Sequence, residues 1–403
     1  MIPRLRPPFT LLEIIGSLGS RQTSLKAFED QFASHFGFKS AIFFPYGRSA
    51  LLTLLEAMEW KNRNIVIPAY TCAVVPNAIV CSENTPTFVD CSPDHFNVPA
   101  TNLGGVLTSG TDMVILTPIF GYPIERNECE NTIRSNSPNA FVLYDLAHGF
   151  AVHDKEFQAI NGDAALFGLG IGKMMSSTYG GMLLVKDPLL ANIVRAFRDS
   201  VFEKASIFCA LNRFFYAVGT WLAFREPFLS LTDILERRTS LLHRFSEAYY
   251  GKKGTFMPEN VRQLPTLFQA NLGISQLRRF EQMAADRWAV CKYYEYRLAA
   301  ENFLFFGYKF EPSYSHFPLM VENRNGVVEY MRGRGIQVGV LIDYSCSELP
   351  SYVTQSQGYP NAVKFGGHII NLPNWPGISR RQAKVVVDAL VSCRRENPEW
   401  FPV

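Results

Sequence analysis

The stretch Gly162–Val185, GDAALFGLGIGKMMSSTYGGMLLV, contains two short apolar runs joined by a glycine-rich segment with one lysine, Lys173. The runs AALFGL (164–169) and GMLLVKD (181–187) have the length and composition of β-strands. Neither run alternates apolar with polar residues, and continuous apolar runs are typical of strands buried on both faces of a parallel sheet. The stretch therefore predicts two such strands, with Lys173 in the segment that connects them.

Four further runs of the same kind precede this stretch. They are NIVIPAY (64–70), PTFVD (86–90), MVILTPI (113–119) and AFVLYD (140–145). Helix-compatible segments such as AVVPNAIVCSE (73–83) separate several of them. Strands that alternate with helices predict an α/β domain, in which helices cover both faces of a mostly parallel sheet.

The last third of the chain has a different pattern. Strand-like runs are HFPLMVE (316–322), IQVGVLID (336–343) and HIINLP (368–373), and helices are predicted at 273–301 and 379–396. We interpret this part as a small α+β domain, because 403 residues exceed the roughly 100–200 residues of a usual domain. The predicted units are an N-terminal arm (1–22), a large domain (23–250) and a small C-terminal domain (251–403).

The predicted helix at 273–301 has one apolar side. Leu277, Phe280, Ala284 and Trp288 recur on that side, and Arg and Glu occupy much of the other. We therefore expect the apolar side to face the core and the charged side to face water.

Charge and cysteine content disfavour several classes of protein. The formal net charge is only +3 without a long run of Lys or Arg, so nucleic-acid binding is not expected. The eight cysteines form no C-x-x-C pair and have no His pair at zinc-ligand spacing, so no metal site is predicted. Scattered cysteines without a recognisable signal peptide are typical of reduced thiols in a cytoplasmic protein.

The most apolar window is IFCALNRFFYAVGTWLAF (207–224). Its length approaches the roughly 20 residues of a membrane span, but Asn212 and Arg213 interrupt it. We expect a buried helix here, or a helix that covers a pocket or a subunit contact. Docking to a membrane surface is less favoured.

Lys173 does not belong to a nucleotide-binding loop. A Walker A loop, G-x-x-x-x-G-K-[ST], would need Gly where Phe167 stands and Ser or Thr where Met174 stands. A dinucleotide fingerprint, G-x-G-x-x-G, would need a third Gly at the position of Lys173. Neither phosphate-binding template is satisfied.

A lysine that follows an apolar strand suits Schiff-base chemistry. That chemistry needs a neutral amine, and partial burial lowers a lysine pKa by disfavouring the charged form. Gly168, Gly170 and Gly172 allow the backbone to approach a flat ligand closely. The alternative is an ordinary solvated loop lysine, which is commoner for an isolated lysine.

The run AFVLYDLAHG (140–149) places Asp145 and His148 after another predicted strand. In open α/β sheets, ligands bind outside the carboxyl ends of the strands. A carboxylate there can pair with a pyridinium nitrogen and keep it protonated. The alternatives are a helix-capping Asp145 and a histidine that is only part of the core.

The segment FPYGRSALLTLL (44–55) can bind an anion. A helix that begins near Gly47 would direct backbone N–H groups and its dipole toward a phosphate. Arg48 and Ser49 could add a charge-assisted bond and a hydroxyl. The alternative is a simple helix that Ser49 opens as its cap.

These features occur in an order that resembles a known family, the DegT/DnrJ/StrS aminotransferases. These are pyridoxal-phosphate enzymes of the aspartate-aminotransferase fold. The similarity runs from about residue 30 to 395. GRSALLTLLEAM resembles the family's phosphate-binding helix start, VLYDLAHG its pyridinium-pairing segment and GDAALFGLGIGKMMSSTYGGMLLV its Schiff-base segment. NIVIPAYTCAVVPNAIV, TPTFVDCSPDHFNV, FQANLGISQLRRFEQMAADR and YPNAVKFGGHIINLPNWPGIS resemble further family signatures.

The resemblance implies a fold and a set of roles. The fold would be a large domain with a mostly parallel seven-stranded sheet between helices, plus a smaller C-terminal α+β domain. Lys173 would form the Schiff base with pyridoxal 5′-phosphate, and Asp145 would hold the pyridinium nitrogen. The other implied cofactor contacts are Gly47, Arg48 and Ser49 at the phosphate, His148 at the ring hydroxyl, and Tyr70 or Cys72 near the ring face.

Some positions depart from the family pattern. Cys72 stands where the family usually has the aromatic residue that stacks on the ring. Gly168 replaces a serine that contacts the phosphate, and Arg48 replaces a Ser or Thr. The family's Asn-x-Arg stretch, which reaches the partner subunit's cofactor, is not recognisable, and Arg262 is a candidate substitute.

The resemblance implies an aminotransferase that moves an amino group, from glutamate as the expected donor, to a keto sugar. A homodimer with its active site at the subunit interface would be expected. Two alternatives stay open. One is other pyridoxal chemistry, such as dehydration of a deoxysugar, although related dehydratases have His in place of the Schiff-base Lys. The other is a non-catalytic descendant that binds a sugar nucleotide or a partner protein.

Overall fold

The computed structural model describes residues 1–19, 24–149, 162–238, 254–353 and 358–402. The domain boundary predicted at 250 lies outside these residues, so the division into domains stays a prediction. The strands in the described ranges are β1 (Ser40–Phe44), β2 (Asn64–Pro68), β3 (Thr85–Val89), β4 (Met113–Leu116), β5 (Phe141–Asp145), β6 (Ala164–Gly168), β7 (Gly181–Val185), β8 (Phe317–Met320) and β9 (Ile369–Leu372).

The α-helices of the described ranges connect and cover these strands. They are α1 (Leu11–Gly19), α2 (Leu25–His35), α3 (Gly47–Ala57), α4 (Val74–Cys81), α5 (Ala100–Gly104), α6 (Arg126–Asn136), α7 (Pro188–Val201), α8 (Ile207–Ala223), α9 (Phe228–Arg238), α10 (Leu267–Leu277), α11 (Phe280–Ala299), α12 (Arg324–Gly333), α13 (Pro360–His368) and α14 (Arg380–Glu396).

Seven strands form one sheet in the order β1-β7-β6-β5-β4-β2-β3. Neighbouring strands are parallel from β6 to β3, whereas β7 is antiparallel to both β1 and β6. The predicted fold class, a mostly parallel seven-stranded sheet between helices, is confirmed. All six strands predicted from apolar runs are present, and β1 is the strand that those runs did not identify.

Burial on both faces explains the continuous apolar runs. In β1, Ile42 and Phe44 pack into one buried cluster with α3, α4 and α7, while Ala41 and Phe43 pack into a second cluster with α2, α6 and α10. Because both faces are covered, both side-chain sets of each strand are apolar.

The C-terminal part contains a two-stranded antiparallel sheet of β8 and β9. The strand predicted at 336–343 is wrong, because this segment makes only isolated bridges, from Ile336 to Ile2 and from Gly339 to Asn371. The long helix predicted at 273–301 is interrupted, since α10 ends at Leu277 and α11 begins at Phe280. The helix at 379–396 is present as α14, with a capping box at Ser379.

Helix α8 is not the buried helix that its composition suggested. Only Ala217 is buried, whereas Ile207, Phe208 and Phe215 are 73%, 78% and 65% exposed. Among the described residues no single helix has the length and apolar character needed to cross a membrane. The bent pair formed by α8 and Phe228–Leu235, at an angle of 96°, meets that criterion by length and composition.

A glycine contact joins α3 to the sheet. A Cβ atom at Gly181, the first residue of β7, would lie 2.4 Å from the Gly47 nitrogen and 2.5 Å from its Cα. Any larger residue at 181 would push the N-terminus of α3 away from the strand. The second glycine of the YGGMLLV run is therefore required by the close approach of two backbone segments.

The Gly181→Ala substitution should lower the free energy of unfolding by about 1–3 kcal/mol, as is usual for overpacking of a well-packed site. Chemical denaturation followed by circular dichroism measures the change. Gly219→Ala is the matched control, because Gly219 is exposed in α8 with no atom within 4 Å of its Cβ position. The control should raise stability by about 0.5–1 kcal/mol through helix propensity. Equal stability of Gly181→Ala and wild type would contradict the proposed contact.

Candidate active site

The segments singled out in the sequence meet at one edge of the sheet. Strand β5 ends at Asp145 and β6 ends at Gly168. Gly168 pairs with Gly181 at the start of β7, and Gly181 pairs in turn with Phe44 at the end of β1. Helix α3 begins at Gly47, shortly after β1. The strand-end carboxylate, the lysine segment after β6 and the helix N-terminus therefore share the carboxyl edge of the sheet.

Lys173 lies where its amine is largely removed from water. The residue retains some exposed surface, but desolvation of the amine lowers the pKa of Lys173, opposed by attraction to Cys72 and Asp145. Lys173 Nζ has no hydrogen-bond partner within the described ranges. A Cβ atom at Gly168 would lie 3.3 Å from Lys173 Cε, so the glycine leaves room for this side chain.

Asp145 is a buried carboxylate with one free oxygen. The residue is 5% exposed, and its Oδ1 accepts the N–H of Ala147 at 3.0 Å. Its Oδ2 has no hydrogen-bond partner in the described part of the chain. Desolvation raises the pKa of Asp145, and the Ala147 hydrogen bond and the charge of Lys173 oppose that rise.

His148 is held as a neutral ring. Its imidazole stacks on Phe120, with ring centroids 6.1 Å apart and an interplanar angle of 9°. The Phe120 N–H donates to His148 Nδ1 at 3.4 Å, which leaves the ring hydrogen on Nε2. Burial, followed by the charges of Lys173 and His316, holds the pKa of His148 well below its ordinary value.

His316 and Arg287 are site residues that sequence reasoning missed. The rings of His316 and His148 are 5.1 Å apart between centroids. Desolvation, with the nearby charges of Lys173 and Arg287, keeps the pKa of His316 well below its ordinary value. His316 begins the predicted strand-like run at 316–322, and that position before a strand was its only signal.

Arg287 is 3% exposed, although it lies on the helix whose charged residues were expected to face water. Its Nη1 donates to the carbonyl oxygens of Asn374 at 2.6 Å and Ser315 at 3.1 Å, and its Nη2 donates to Lys173 O at 3.5 Å. Burial lowers the pKa of Arg287 to about 10. Trp288, which was predicted on the apolar side, is instead 37% exposed. The buried side of α11 contains Phe280 and Ala284, as predicted, but it continues through Arg287 and not through Trp288.

Cys72 is partly buried beside the lysine. The neighbouring Ala73 N–H donates to the hydroxyl of Tyr344 at 2.9 Å, and Tyr344 also interacts with Cys72. Tyr344 was not a predicted site residue. It directly follows the segment 336–343, whose strand prediction failed, so nothing in the local pattern placed it here.

Tyr70 is fully buried in the core. Its hydroxyl donates to Ile342 O at 3.2 Å, and its ring packs against Phe120 and Phe365. A role for Tyr70 or Cys72 at the ring face of a cofactor stays a prediction.

Helix α3 begins at Gly47, so the expectation that Ser49 opens it is wrong. The N-cap residue is Tyr46, in an extended conformation, and its hydroxyl donates to Asn260 Oδ1 at 2.9 Å instead of capping the helix. Ser49 Oγ donates to Val261 O at 2.7 Å, which commits the only hydrogen of that hydroxyl. The helix N-terminus is thus directed to the site edge, while the Ser49 hydroxyl is already engaged.

The two arginines near this helix have different surroundings. Arg48 is buried, and its guanidinium carbon lies 5.8 Å from the centre of the Tyr46 ring. Arg262, the candidate substitute for the missing Asn-x-Arg stretch, pairs with Glu56 of its own chain at 2.6 Å. A contact of Arg262 with a second subunit stays a prediction.

Helix α8 contacts the segment that holds Lys173. Tyr216 packs on Tyr179 with ring centroids 4.6 Å apart, and the guanidinium of Arg213 lies 4.5 Å from the centre of the Tyr179 ring. Gln269 of α10 donates to Tyr179 O at 2.9 Å. The aromatic region 207–228 is therefore adjacent to the candidate site.

The arrangement of the sheet agrees with the comparisons. The sequence matches the DegT/DnrJ/EryC1/StrS aminotransferase family over residues 16–212 and 249–391. The chain belongs to this family, and its enzyme class is that of the transaminases.

Among the relatives is SpsC of Bacillus subtilis (strain 168), a spore coat polysaccharide biosynthesis protein. It is 22% identical over 386 residues, which cover 92% of this chain and 90% of SpsC. GDP-perosamine synthase of Escherichia coli O157:H7 is 20% identical over 376 residues, which cover 93% and 91% of the two chains. The PMP-form structure of Spr1654 from Streptococcus pneumoniae shares the fold, with a TM-score of 0.74, 16% identity and coverage of 97% and 98%.

The buried histidines predict a pH-dependent stability. A histidine whose pKa is lowered by folding binds its proton more tightly in the unfolded chain, so stability should fall as pH decreases below about 6.5. The slope of the unfolding free energy against pH should therefore be positive below about pH 6.5. The His316→Gln substitution should reduce that slope by up to about 1.4 kcal/mol per pH unit. Urea denaturation of wild type and variant between pH 5 and 8 measures the difference.

The pH range above about 7.5 is the internal control, because the slopes of the two proteins should coincide there. Asp145, with its raised pKa, acts in the opposite sense and is present in both proteins. Identical slopes below pH 6.5 would show that His316 does not titrate in this way.

Proposed function

We propose that the chain is a pyridoxal-phosphate-dependent sugar aminotransferase. It moves an amino group from an amino acid, with glutamate as the expected donor, to a keto sugar that is nucleotide-linked or a free sugar acid. The observation that carries the proposal is the meeting of the desolvated Lys173 amine and the buried Asp145 carboxylate at the carboxyl edge of the sheet. The relatives SpsC and GDP-perosamine synthase support a place in surface polysaccharide or secondary-metabolite biosynthesis.

The residues at this edge fit the cofactor. Lys173 Nζ and Asp145 Oδ2 both lack hydrogen-bond partners within the described ranges, so each is available to a ligand. The N-terminus of α3 would hold the phosphate through the backbone of Gly47, Arg48 and Ser49. The Ser49 hydroxyl would have to leave Val261 to donate as well.

When bound, pyridoxal phosphate supplies a protonated ring that accepts electrons from the substrate carbon. Asp145 would hold the proton on the ring nitrogen, because a carboxylate next to a pyridinium stabilises its charge. Lys173 Nζ would bind the cofactor carbonyl carbon and, once displaced by the amino donor, carry the proton at the substrate Cα. His148, with its hydrogen on Nε2, would donate to the ring hydroxyl oxygen.

Desolvation of the Lys173 amine supports this role. A lysine with an ordinary pKa is almost wholly charged at neutral pH and cannot attack a carbonyl. Desolvation lowers the pKa of Lys173 and so raises the neutral fraction. The neutral rings of His148 and His316 add no competing positive charge beside it.

We also propose a homodimer with its active site at the interface. Leu12 of α1 and Phe208 and Phe215 of α8 are exposed apolar side chains, and α8 contacts the segment that holds Lys173. An exposed apolar surface of this kind is typical of a protein contact. Sedimentation velocity should give a dimer that Phe208→Ser weakens at least tenfold, and a monomeric wild type would contradict the interface.

The Lys173→Ala variant should lose both the visible absorbance of bound pyridoxal phosphate and amino transfer to a keto sugar. Asp145→Asn should keep the cofactor but lower the rate of the amino-donor half-reaction by about 10²–10³-fold, the usual effect of removing one preorganised electrostatic contact. Spectroscopic titration with glutamate and a panel of keto sugars measures these effects. Lys204→Ala is the matched control, because Lys204 is an exposed lysine outside the site.

Product analysis separates this function from its alternatives. An amino sugar supports the aminotransferase, whereas a deoxy sugar without nitrogen would favour dehydration. Tight cofactor binding without any spectral change on adding amino donors would favour a non-catalytic descendant. A wild-type protein that neither contains nor takes up pyridoxal phosphate would contradict the proposal.

A further inference from the structure

Two arginines and two tryptophans form a cluster beside the candidate site, which we call the arginine cluster: Arg6, Arg225, Trp221 and Trp375. The guanidinium carbon of Arg6 lies 4.2 Å from the centre of the Trp375 ring, and that of Arg225 lies 3.9 Å from the centre of the Trp221 ring. The N-terminal arm connects the Arg6–Trp375 pair to the Arg225–Trp221 pair. Trp375 Nε1 donates to Pro3 O at 3.1 Å.

The arm also reaches the other half of the cluster. Phe9 packs in the same small apolar cluster as Trp221, and the Met1 amine contacts Glu226 at 2.7 Å. Arg6 therefore lies on a segment anchored on both sides of it. In keeping with this, burial and the charge of Arg6 lower the pKa of Arg225.

The arginine cluster has donors without acceptors. Arg6 Nε and Trp221 Nε1 are buried atoms with no hydrogen-bond partner among the residues that the structure describes. Within the described ranges no carboxylate pairs with Arg6 or Arg225. The nearest carboxylate in sequence, Glu226, is engaged with Met1 and Ser230. Two like charges and two unsatisfied N–H groups favour a bound anion, which would remove the repulsion and accept both hydrogens.

The cluster is next to the reacting lysine. A Cβ atom at Gly172 would lie 3.7 Å from Leu5 Cδ2, so the arm passes beside the Lys173 segment at the residue before Arg6. On the other side, Trp375 follows Asn374, whose carbonyl oxygen accepts from Arg287. Arg287 in turn donates to Lys173 O. Residues adjacent in sequence to Arg6 and Trp375 are therefore connected to the Lys173 segment from two sides.

The two arginines lie outside the part of the chain that matches the family. Arg6 precedes residue 16, and Trp221 and Arg225 lie in the unmatched segment between residues 212 and 249. Trp375, by contrast, lies within the matched range 249–391. Residues outside the matched ranges are suited to select a substrate and not to carry out the chemistry that the family shares.

We propose that Arg6, Arg225 and Trp221 form an oxyanion-binding site for the sugar substrate, which takes either its phosphate groups or a sugar carboxylate. This inference rests on the proposed function for the identity of the ligand as substrate. Arg6 donates two parallel N–H groups to the anion, and the indole N–H of Trp221 gives a further bond. Arg225 Nη1 already donates to Trp221 O at 3.0 Å, so Arg225 binds the anion through its remaining N–H groups. The tryptophan faces hold the guanidinium planes in place.

Direct binding of small anions tests the site in the purified full-length protein. Inorganic pyrophosphate and glucuronate are the probes for the phosphate and carboxylate sources, measured by isothermal titration calorimetry and by tryptophan fluorescence. Arg6→Gln and Arg225→Gln should each weaken the preferred probe about 10- to 100-fold, as expected for loss of a hydrogen bond to a charged group. Arg381→Gln, at an exposed arginine of α14, is the matched control and should bind as wild type does.

Arg225→Lys keeps the charge but loses the forked geometry, and it should bind more weakly than wild type and more tightly than Arg225→Gln. Circular dichroism of each variant identifies any that fails to fold, and Arg225→Lys then decides the result. If only pyrophosphate binds, the site takes the phosphate groups of the substrate. If only glucuronate binds, the site takes a sugar carboxylate. No binding of either probe by the wild type, or equal binding by the arginine variants, would overturn the site.

The same measurements on Lys173→Ala separate this site from the proposed function. Because the probes do not need the lysine, Lys173→Ala should bind them as wild type does. Arginine-dependent binding in a protein without transaminase activity would leave the anion site standing and remove only the proposed function. If the protein is an active transaminase but its Arg6 and Arg225 variants bind the probes as the wild type does, only the proposed anion site is contradicted.

Discussion

The direction of β7 is the constraint on which the site depends. Because β7 is antiparallel to β1 and β6, its first residue lies at the edge where those strands end. Gly181 stands there with no side chain, so the N-terminus of α3 can rest on the strand. The same edge receives Asp145 from β5 and the Lys173 segment from β6. A single strand reversal thus places the N-terminus of a helix at the same edge as a carboxylate and an amine.

Removal of water then sets the chemical state of the groups at this edge. Desolvation is the largest influence on the pKa of Lys173, Asp145, His148 and His316. It favours the neutral form of each, while the mutual attraction of the amine and the carboxylate limits the effect on that pair. Arg287 stays charged because carbonyl oxygens surround it, and one of them belongs to Lys173. The site is therefore an apolar enclosure in which a few retained charges act strongly.

The local sequence pattern was sufficient to predict an element where a single physical requirement decides whether that element forms. The six apolar runs became strands because both faces of the sheet are covered, and Ser379 capped α14 because its side chain meets the exposed N–H groups. Pattern was insufficient for 336–343, since a strand needs a partner and this segment finds only isolated bridges. It also placed Trp288 inside and left Arg287 in water, because the carbonyl oxygens that accept from the buried Arg287 come from residues far away in the sequence.

The sequence by itself determined the fold class, the family and the order of Asp145 and Lys173 along consecutive strands. The fold class and the order of the two residues follow from local composition and from spacing, and the family follows from the resemblance of the motifs; a linear chain carries all of these directly. Only the tertiary structure decided that His316, Arg287 and Tyr344 join the site, that Tyr70 is a core residue and that Ser49 is engaged by Val261. Burial and hydrogen-bond partners depend on residues far apart in the chain, and packing alone brings those residues together.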